Sequence, residues 1–373
     1  MTKMEYCKRC VMPNTKPGIV LDEEGICNAC RSVEKKKLID WGQRKRELIE
    51  LCEEIKKNNK GPYDCLVAVS GGKDSIYQVW YMKNICKMKV LAVCIISHLR
   101  TREGIENMNN MITRLGIDTI TVSLKPSTLA SARKRAFIDY GEPNWIEHLV
   151  VFSGVARVAF AYKIPLTVWG EDISVEFGGP TANKRVASAQ DLINNELIKG
   201  RQIDPFYNGK EIQKKYTFFY HHPPIEEMKK HYLKSIYLGY FNNWDGHMHY
   251  LKAKEVASFQ ERRAGCLSGN FLPYDNIDEK ICETHIWLKY LKFGFWRPTD
   301  QCCYFIWNGR MTREEAVKVV NNLQDEFPIE YFQDFLNFHG LTQEEFWKIS
   351  EKYRNLDIWE KVKGRWKIKY PLE

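Results

Sequence analysis

The sequence predicts an α/β protein: a doubly wound parallel sheet, preceded by a small cysteine-bound module and followed by a mostly helical region. Three observations carry this. Apolar runs alternate with helical patterns between residues 65 and 169, as in a parallel sheet covered on both faces. One apolar run stops abruptly at Ser70-Gly71-Gly72, and a helical pattern opens at once at Asp74-Ser75. Cys7-x2-Cys10 and Cys27-x2-Cys30 are separated by sixteen residues, so two tight turns can aim four thiolates at one tetrahedral ion.

The elements follow in order. Pro13, Pro17, Gly18 and Gly25 punctuate the segment between the cysteine pairs, which predicts a short β-hairpin. With four thiolates the shell is closed, so the site is a structural zinc site rather than a catalytic one. Leu38, Trp41, Leu48, Cys52 and Ile55 recur at helical spacing, predicting one helix over 33–59 that ends at Asn58-Asn59-Lys60-Gly61-Pro62. Strands are expected over 65–69, 90–96, 119–124 and 166–169. Helices are expected over 75–86, 103–115, 127–140 and 145–162. The fourth strand runs into Gly170-Glu171-Asp172. After Gly178-Gly179-Pro180 the alternation fades and aromatics become dense, with helical patterns over 311–323 and 331–346. The domains expected are 1–58 for the zinc module and linking helix, 59–180 for the nucleotide core, and 181–373 for the acceptor and partner region.

Composition sets the class. With 373 residues, 44% apolar and 28% charged, the chain reads as a soluble globular protein of one large or two smaller domains. No apolar run approaches the roughly 20 residues of a membrane span, and Met-Thr-Lys-Met-Glu-Tyr-Cys lacks a signal core; a cytoplasmic location is expected. The net charge of +9 speaks only to non-specific association. Lys35-Lys36-Lys37 and Arg133-Lys134-Arg135 have acids nearby and read as solvated helix faces, so a nucleic-acid partner is not expected. Of twelve cysteines, the regularly spaced four call for a metal, and the others read as buried free thiols.

The glycine turn carries the chemistry. Glycines let backbone N–H groups converge on an anion, and the following helix N-terminus adds partial positive charge. The spacing is not that of a Walker loop. Ser-Gly-Gly-x-Asp-Ser instead resembles the pyrophosphate-binding loop of the ATP pyrophosphatases, which split ATP into AMP and pyrophosphate. The loop candidates are Ser70, Gly71, Gly72, Lys73, Asp74 and Ser75. Asp74 orients the loop or binds Mg²⁺, with a helix N-cap as the alternative reading. Lys73 contacts phosphate or is a solvated lysine. Ser97 and His98 follow the second strand, where the adenine edge would lie, and His98 also has a structural reading. Gly170 and Glu171 end the fourth strand; Glu171, with Asp172, holds Mg²⁺ or the acceptor, or caps the chain.

Over most of its length, to about residue 320, the chain resembles the N-acetyl sugar amidotransferases of the ATP pyrophosphatase superfamily. The residues that carry this are Cys-x-x-Cys-Val-Met-Pro-Asn-Thr-x-Pro-Gly at Cys7 to Gly18, then Asp22-Glu23-Glu24-Gly25-Ile26-Cys27-Asn28-Ala29-Cys30, the loop, and Trp169-Gly170-Glu171-Asp172. Asp278-Glu279-Lys280, the stretch from Lys292 to Gln301, and Asn308-Gly309-Arg310-Met311-Thr312-Arg313-Glu314-Glu315-Ala316 continue it. Trp296, Pro298, Cys302 and Cys303 stand where smaller residues are expected, and would reshape the acceptor pocket.

The resemblance implies conversion of a sugar acetamido group to an acetamidino group in surface-glycan biosynthesis. ATP and Mg²⁺ are the implied cofactors, beside structural Zn²⁺ on Cys7, Cys10, Cys27 and Cys30. Asp74, Lys280 and Asp300 are the catalytic candidates, and Asp278, His285 and Arg297 further candidates for acceptor or triphosphate. The implied partners are a nucleotide-activated N-acetyl sugar, a separate glutaminase and an ammonia-channelling subunit. Gly265-Cys266-Leu267-Ser268-Gly269 superficially fits a glutaminase elbow, but Glu261-Arg262-Arg263 precedes it instead of an apolar strand; nor does a cysteine follow Met1. The alternatives are a tRNA-thiolation enzyme, which would place a cysteine at the nucleotide site, and a non-catalytic zinc-ribbon adaptor, which would not bind ATP.

Overall fold

A computed structural model describes residues 3–96, 98–171, 186–187, 191, 200–230 and 233–373. At its centre is a five-stranded, all-parallel sheet in the order β3-β2-β1-β4-β5, made of β1 (Cys65–Ala68), β2 (Val90–Ile96), β3 (Asp118–Ser123), β4 (Leu166–Trp169) and β5 (Lys234–Tyr237). Buried runs such as Val90 to Val93 fill both faces, as a covered parallel sheet requires. Register is set by Cys65 opposite Val90 and by Val67 opposite Val168. The chain steps from β1 outward to β2 and β3, then returns to lay β4 on the other side of β1. That reversal opens a crevice beyond the carboxyl ends of β1 and β4.

The predicted alternation is present, with local differences. The expected first helix is two: α1 (Asn28–Lys36) and α2 (Trp41–Asn58), broken at Lys37 to Asp40. Asp40 caps α2 by accepting from the Gln43 N–H, and Leu38, read as core from its spacing, is 86% exposed. A capping aspartate outweighs periodicity here. α3 (Lys73–Trp80) continues as a π-helical turn over Tyr81–Ile85. α4 (Arg102–Leu115), α5 (Pro126–Tyr140) and α6 (Trp145–Ala161) fall where expected. β5 was not expected from the sequence and lies beyond the aromatic onset, next to α7 (Ile225–Lys230) and α8 (Leu238–Phe241). α9 (Gly246–Ala257) returns to pack with α2, α3 and α4 on one face of the sheet; α5 and α6 cover the other.

The C-terminal region is mostly helical: α10 (Cys282–Phe293), α11 (Arg297–Trp307), α12 (Arg313–Leu323), α13 (Phe332–His339) and α14 (Gln343–Glu351), closed by an antiparallel pair β6 (Trp359–Val362) and β7 (Arg365–Ile368). The pattern over 331–346 is two helices, split because Gly340 takes a left-handed conformation and Thr342 starts α14 with a capping box. The expected hairpin in the cysteine module reduces to two isolated antiparallel bridges, Tyr6 to Pro13 and Leu21 to Cys27, each closing one cysteine turn. None of the described helices is long and apolar enough to cross a membrane.

One buried histidine gives a pH test. His339 is 3% exposed, and its Nδ1 bonds the Phe335 carbonyl at 2.8 Å. Burial first, and the charge of Arg133 second, push it down to about 3. A base lowered in the folded state stabilises fully above its unfolded value near 6.5 and loses that stability as pH falls towards 3. Between pH 6.5 and 4 the His339→Leu protein should therefore lose less stability than the parent, by about 1.4 kcal/mol per pH unit. Parallel urea melts in which both proteins lose the same stability over that range would refute this.

Candidate active site

The turn after β1 is built by steric necessity. Gly71 has φ +93°, and a Cβ there would lie 2.7 Å from the Gly104 carbonyl oxygen. Gly104 in turn has Asp278 Cα 2.6 Å from where its own Cβ would be. Loop, α4 and the 277–280 segment thus stack backbone on backbone. Thr101 N–H donates to the Asp278 carbonyl at 3.2 Å and Lys280 N–H to the Leu99 carbonyl at 2.9 Å. Arg100 Nη2 donates at 2.8 Å to both the Ser70 and the Gly104 carbonyls.

Within the loop, Ser75 Oγ donates to the Gly72 carbonyl at 2.9 Å and accepts from the Ser70 N–H at 3.4 Å; Ser70 Oγ accepts from the Gly72 N–H at 3.2 Å. The Ser75 hydroxyl proton is thus engaged within the loop itself. Gly72, not Asp74, is the N-cap of α3, and no side chain caps that end. The first-turn N–H groups are therefore left without a side-chain acceptor, as an anion site requires.

Asp74, in the first turn of α3, anchors a part-buried charge network. Lys73 Nζ lies 2.9 Å from Asp74 Oδ2 and 3.1 Å from Asp275 Oδ1. His249 Nδ1 lies 2.8 Å from Asp74 Oδ1. The His249 ring is stacked on Tyr77 at 3.9 Å and meets Trp244 edge-on at 4.3 Å. Burial raises the Asp74 carboxyl, but Lys73 and His249 outweigh it and hold Asp74 well below the ordinary carboxylate range. Burial likewise opposes charge on Lys73, and Asp74 and Asp275 overcome it. The pair is ionised. Enclosure by the cavity walls first, and the like charge of Asp74 second, raise Glu171, although its side chain still reaches solvent.

Two cavities meet here. The first, of about 410 Å³, occupies the crevice at the ends of β1, β2 and β4. Ser70, Ser75, Arg100, Gly170 and five carboxylates (Asp74, Glu147, Glu171, Asp278 and Glu279) line it. Glu147 is bound by Arg133 at 2.8 Å; burial, then Glu279, push it up to about 7. The second cavity, of about 360 Å³, lies between α9, α11 and the cysteine module. Trp244, Tyr274, Tyr304 and Trp307 give it aromatic walls, and Lys16, Lys73, Arg297 and Asp300 give it charge. Asp74 and Glu171 line both cavities.

The candidates distribute unequally. Ser70, Lys73, Asp74, Ser75, Gly170, Glu171 and Asp300 line one cavity or both, while Gly71 and Gly72 form the turn itself. Ser97 and Asp172 lie outside the described residues. His98 lines neither cavity; its Nε2 bonds the Leu124 carbonyl at 2.7 Å, which fits the structural reading. Lys280 lines neither cavity and instead bonds Asp334 at 3.0 Å. Of the further candidates, Asp278 and Arg297 line cavities, and His285 contacts Glu142 at 2.9 Å outside both. Trp296, Pro298, Cys302 and Cys303 line neither cavity. Arg297, Asp300, Gln301 and Tyr304 turn that face of α11 inward, while Cys302 and Cys303 pack with the cysteine module and Trp296 packs in the cluster of α10, α13 and α14. Sequence reasoning missed His249, Lys16, Arg100, Glu147 and Asp275. None of them carried a local signal: Lys16 fills a variable place in the first cysteine motif, and the others stand outside any motif.

The four cysteine sulfurs lie within 4.8 Å of one another, all buried. Cys7 to Cys30 is 3.9 Å and Cys10 to Cys27 3.7 Å. Metal–sulfur bonds of about 2.3 Å in a tetrahedron imply about 3.8 Å between sulfurs. Trp307 Nε1–H donates to Cys30 Sγ at 3.2 Å, and Cys27 N–H to Cys7 Sγ at 3.2 Å. The residues fit one tetrahedral ion with N–H donors around it.

Residues 266–372 match the family model described as LPS biosynthesis protein WbpG-like, C-terminal domain. Over 118 residues the chain is 30% identical to an uncharacterized protein of Methanocaldococcus jannaschii; the match covers 31% of this chain and 42% of that one, less than half its length. Among solved structures, an NH3-dependent NAD synthetase from Campylobacter jejuni matches at 15% identity, covering 36% of this chain and 58% of that one, with a TM-score of 0.29. The U34-tRNA thiolase NcsA from Methanococcus maripaludis, solved with its 4Fe-4S cluster, matches at 15% identity over 95% and 88% of the two chains, with a TM-score of 0.33. Likeness at this level carries no argument about activity.

Proposed function

We propose that the protein is an ATP-dependent amidotransferase acting on an activated N-acetyl sugar. The observation that carries this is the meeting of a loop-bounded crevice and a second, aromatic-walled cavity at Asp74 and Glu171. Such a junction suits transfer of an adenylyl group from a nucleotide on one side to an acceptor on the other. A sugar's apolar face fits the aromatic walls. The matched C-terminal domain, with its lipopolysaccharide description, supports a surface-glycan acceptor.

The chemistry is balanced as follows. The acetamido oxygen attacks the α-phosphorus of ATP, and pyrophosphate leaves. Ammonia adds to the resulting O-adenylyl imidate carbon, AMP departs with the oxygen, and loss of a proton leaves the amidine. The first-turn N–H groups of α3 hold the departing pyrophosphate. Asp74, Glu171 and Asp278 are the residues that would hold Mg²⁺, which would screen the phosphates from the acidic lining. Lys73, fixed between Asp74 and Asp275, keeps Asp74 ionised and oriented. A separate glutaminase and channelling subunit would supply the ammonia.

One observation bears on thiolation. Cys94 lines the crevice, where the sequence placed it in an apolar strand. Burial pushes its thiol up to about 11, which disfavours the thiolate that a nucleophile needs.

The test is an incubation with ATP, Mg²⁺, ammonium and a panel of nucleotide-activated acetamido sugars. The expected products are AMP, pyrophosphate and a sugar lighter by about one mass unit, from exchange of O for NH in the chemistry the site would support. ADP in place of AMP would reject the mechanism, and RNA-dependent AMP formation without sugar would favour thiolation.

A further inference from the structure

Residues 359 to 369 hold five cations, Lys361, Lys363, Arg365, Lys367 and Lys369, and one carboxylate, Glu360. They form the β6–β7 hairpin, and none of them lines either cavity of the candidate site. We propose that the tip of this hairpin, Lys361 to Arg365, contacts the anionic headgroups of a lipid bilayer and seats the protein there as a peripheral surface contact. The inference is independent of the amidotransferase reading.

The hairpin is rooted at one end and exposed at the other. Trp359 is 5% exposed, meets Tyr290 edge-on at 4.8 Å and donates from Nε1 to the Leu291 carbonyl at 3.1 Å. Residues directly opposite in an antiparallel pair share a face. Trp359, Trp366 and Ile368 turn to the core cluster of α10, α13 and α14. The other face carries Glu360 opposite Lys367 and Val362 opposite Arg365, and all four are exposed. Lys361 and Arg354 lie over the Trp366 ring at 5.0 Å and 4.7 Å, which braces the strands beneath the tip.

The charge at the tip is not balanced within the protein. Arg354 is held by Glu351 at 2.6 Å, whereas no ion pair engages Lys361, Lys363, Arg365 or Lys367 among the described residues. Glu360 stands towards the root, opposite Lys367, and Asp357 lies before the hairpin. Val362, 37% exposed, stands among the tip cations. An apolar side chain between cations suits the headgroup layer of a bilayer, where both kinds of group gain. A nucleic-acid backbone would reward the cations alone.

The turn points the same way. Lys363 and Gly364 are its two central residues, with φ +51° and +81°. Such a turn favours Asn-Gly or Gly-Gly, so a lysine holds this place against its backbone preference. Lysines on edge strands also keep a small sheet from pairing with other chains. That role asks for charge along the strands and not at a disfavoured turn position.

Co-sedimentation with lipid vesicles tests the proposal. Phosphatidylcholine vesicles with about one-third phosphatidylglycerol should carry the protein down at roughly 0.1 M salt, and phosphatidylcholine alone should not. Lys361→Gln, Lys363→Gln and Arg365→Gln together should weaken that binding about a hundredfold, since each basic residue near an anionic bilayer contributes about fivefold. Lys35→Gln, Lys45→Gln and Lys57→Gln together remove the same charge from α1 and α2, and should weaken it less than about threefold. Lys363→Asn alone should weaken vesicle binding about fivefold without lowering the melting temperature, because asparagine suits the turn better. Equal sedimentation with both vesicle types, or equal loss in the two triple variants, would overturn the inference. Binding to a single-stranded RNA homopolymer, with none to the anionic vesicles, would assign the tip to nucleic acid and overturn it as well.

Discussion

Asp74→Asn should reduce AMP-forming turnover about a thousandfold, because it removes a charge that would hold Mg²⁺ against the departing pyrophosphate. Asparagine keeps the size of the side chain and can still accept from His249, so the fold should persist. The melting temperature should stay within about 3 °C of the parent. Lys73 retains Asp275 as a partner, which limits the penalty of an uncompensated buried ammonium. Both readouts are needed, since a misfolded variant would also be inactive. Stopped-assay AMP formation above a tenth of the parental rate, with the melting curve unchanged, would place the reacting centre away from Asp74.

Cys10→Ser should produce the largest loss of stability. Each thiolate of a closed site contributes to a metal affinity that is itself folding free energy, about 10–16 kcal/mol for whole sites in small zinc peptides. The cluster is buried with Phe295, Ala316 and Val320, so its opening would expose the packing of α11 and α12 as well as the module. Calorimetry should show a separate early transition roughly 10 °C or more below the main one, with the sheet melting near its parental temperature. The parent treated with a strong chelator should show the same two transitions. A single unshifted transition in both samples would mean that the four thiolates hold no stabilising ion.

Much of the fold was legible because its signals are local. The β2 run, the α4 pattern between Thr101 and Gly116, and the turn at Ser70-Gly71-Gly72 each depend on residues close in sequence. The errors were also local competitions. Asp40 breaks a helix that periodicity would extend, and β5 is too short to declare itself among aromatics. The site was legible only where a motif spans a few residues. Lys280 carried a family motif, yet its side chain reaches Asp334. His249 carried none, yet it meets Asp74 across 175 positions.

By itself the sequence determined a parallel sheet, an anion-binding turn at its first strand, and four thiolates spaced for one ion. The tertiary structure alone decided which distant side chains meet: His249 with Asp74, Asp275 with Lys73, and Lys16 in the same cavity as Asp300. The physical reason is the range of the forces that encode each. Turns, strands and metal knuckles are fixed by sterics and hydrogen bonds between near neighbours. Contacts between remote charges exist only after packing has closed the chain around them, and no periodicity announces where that closure will bring them.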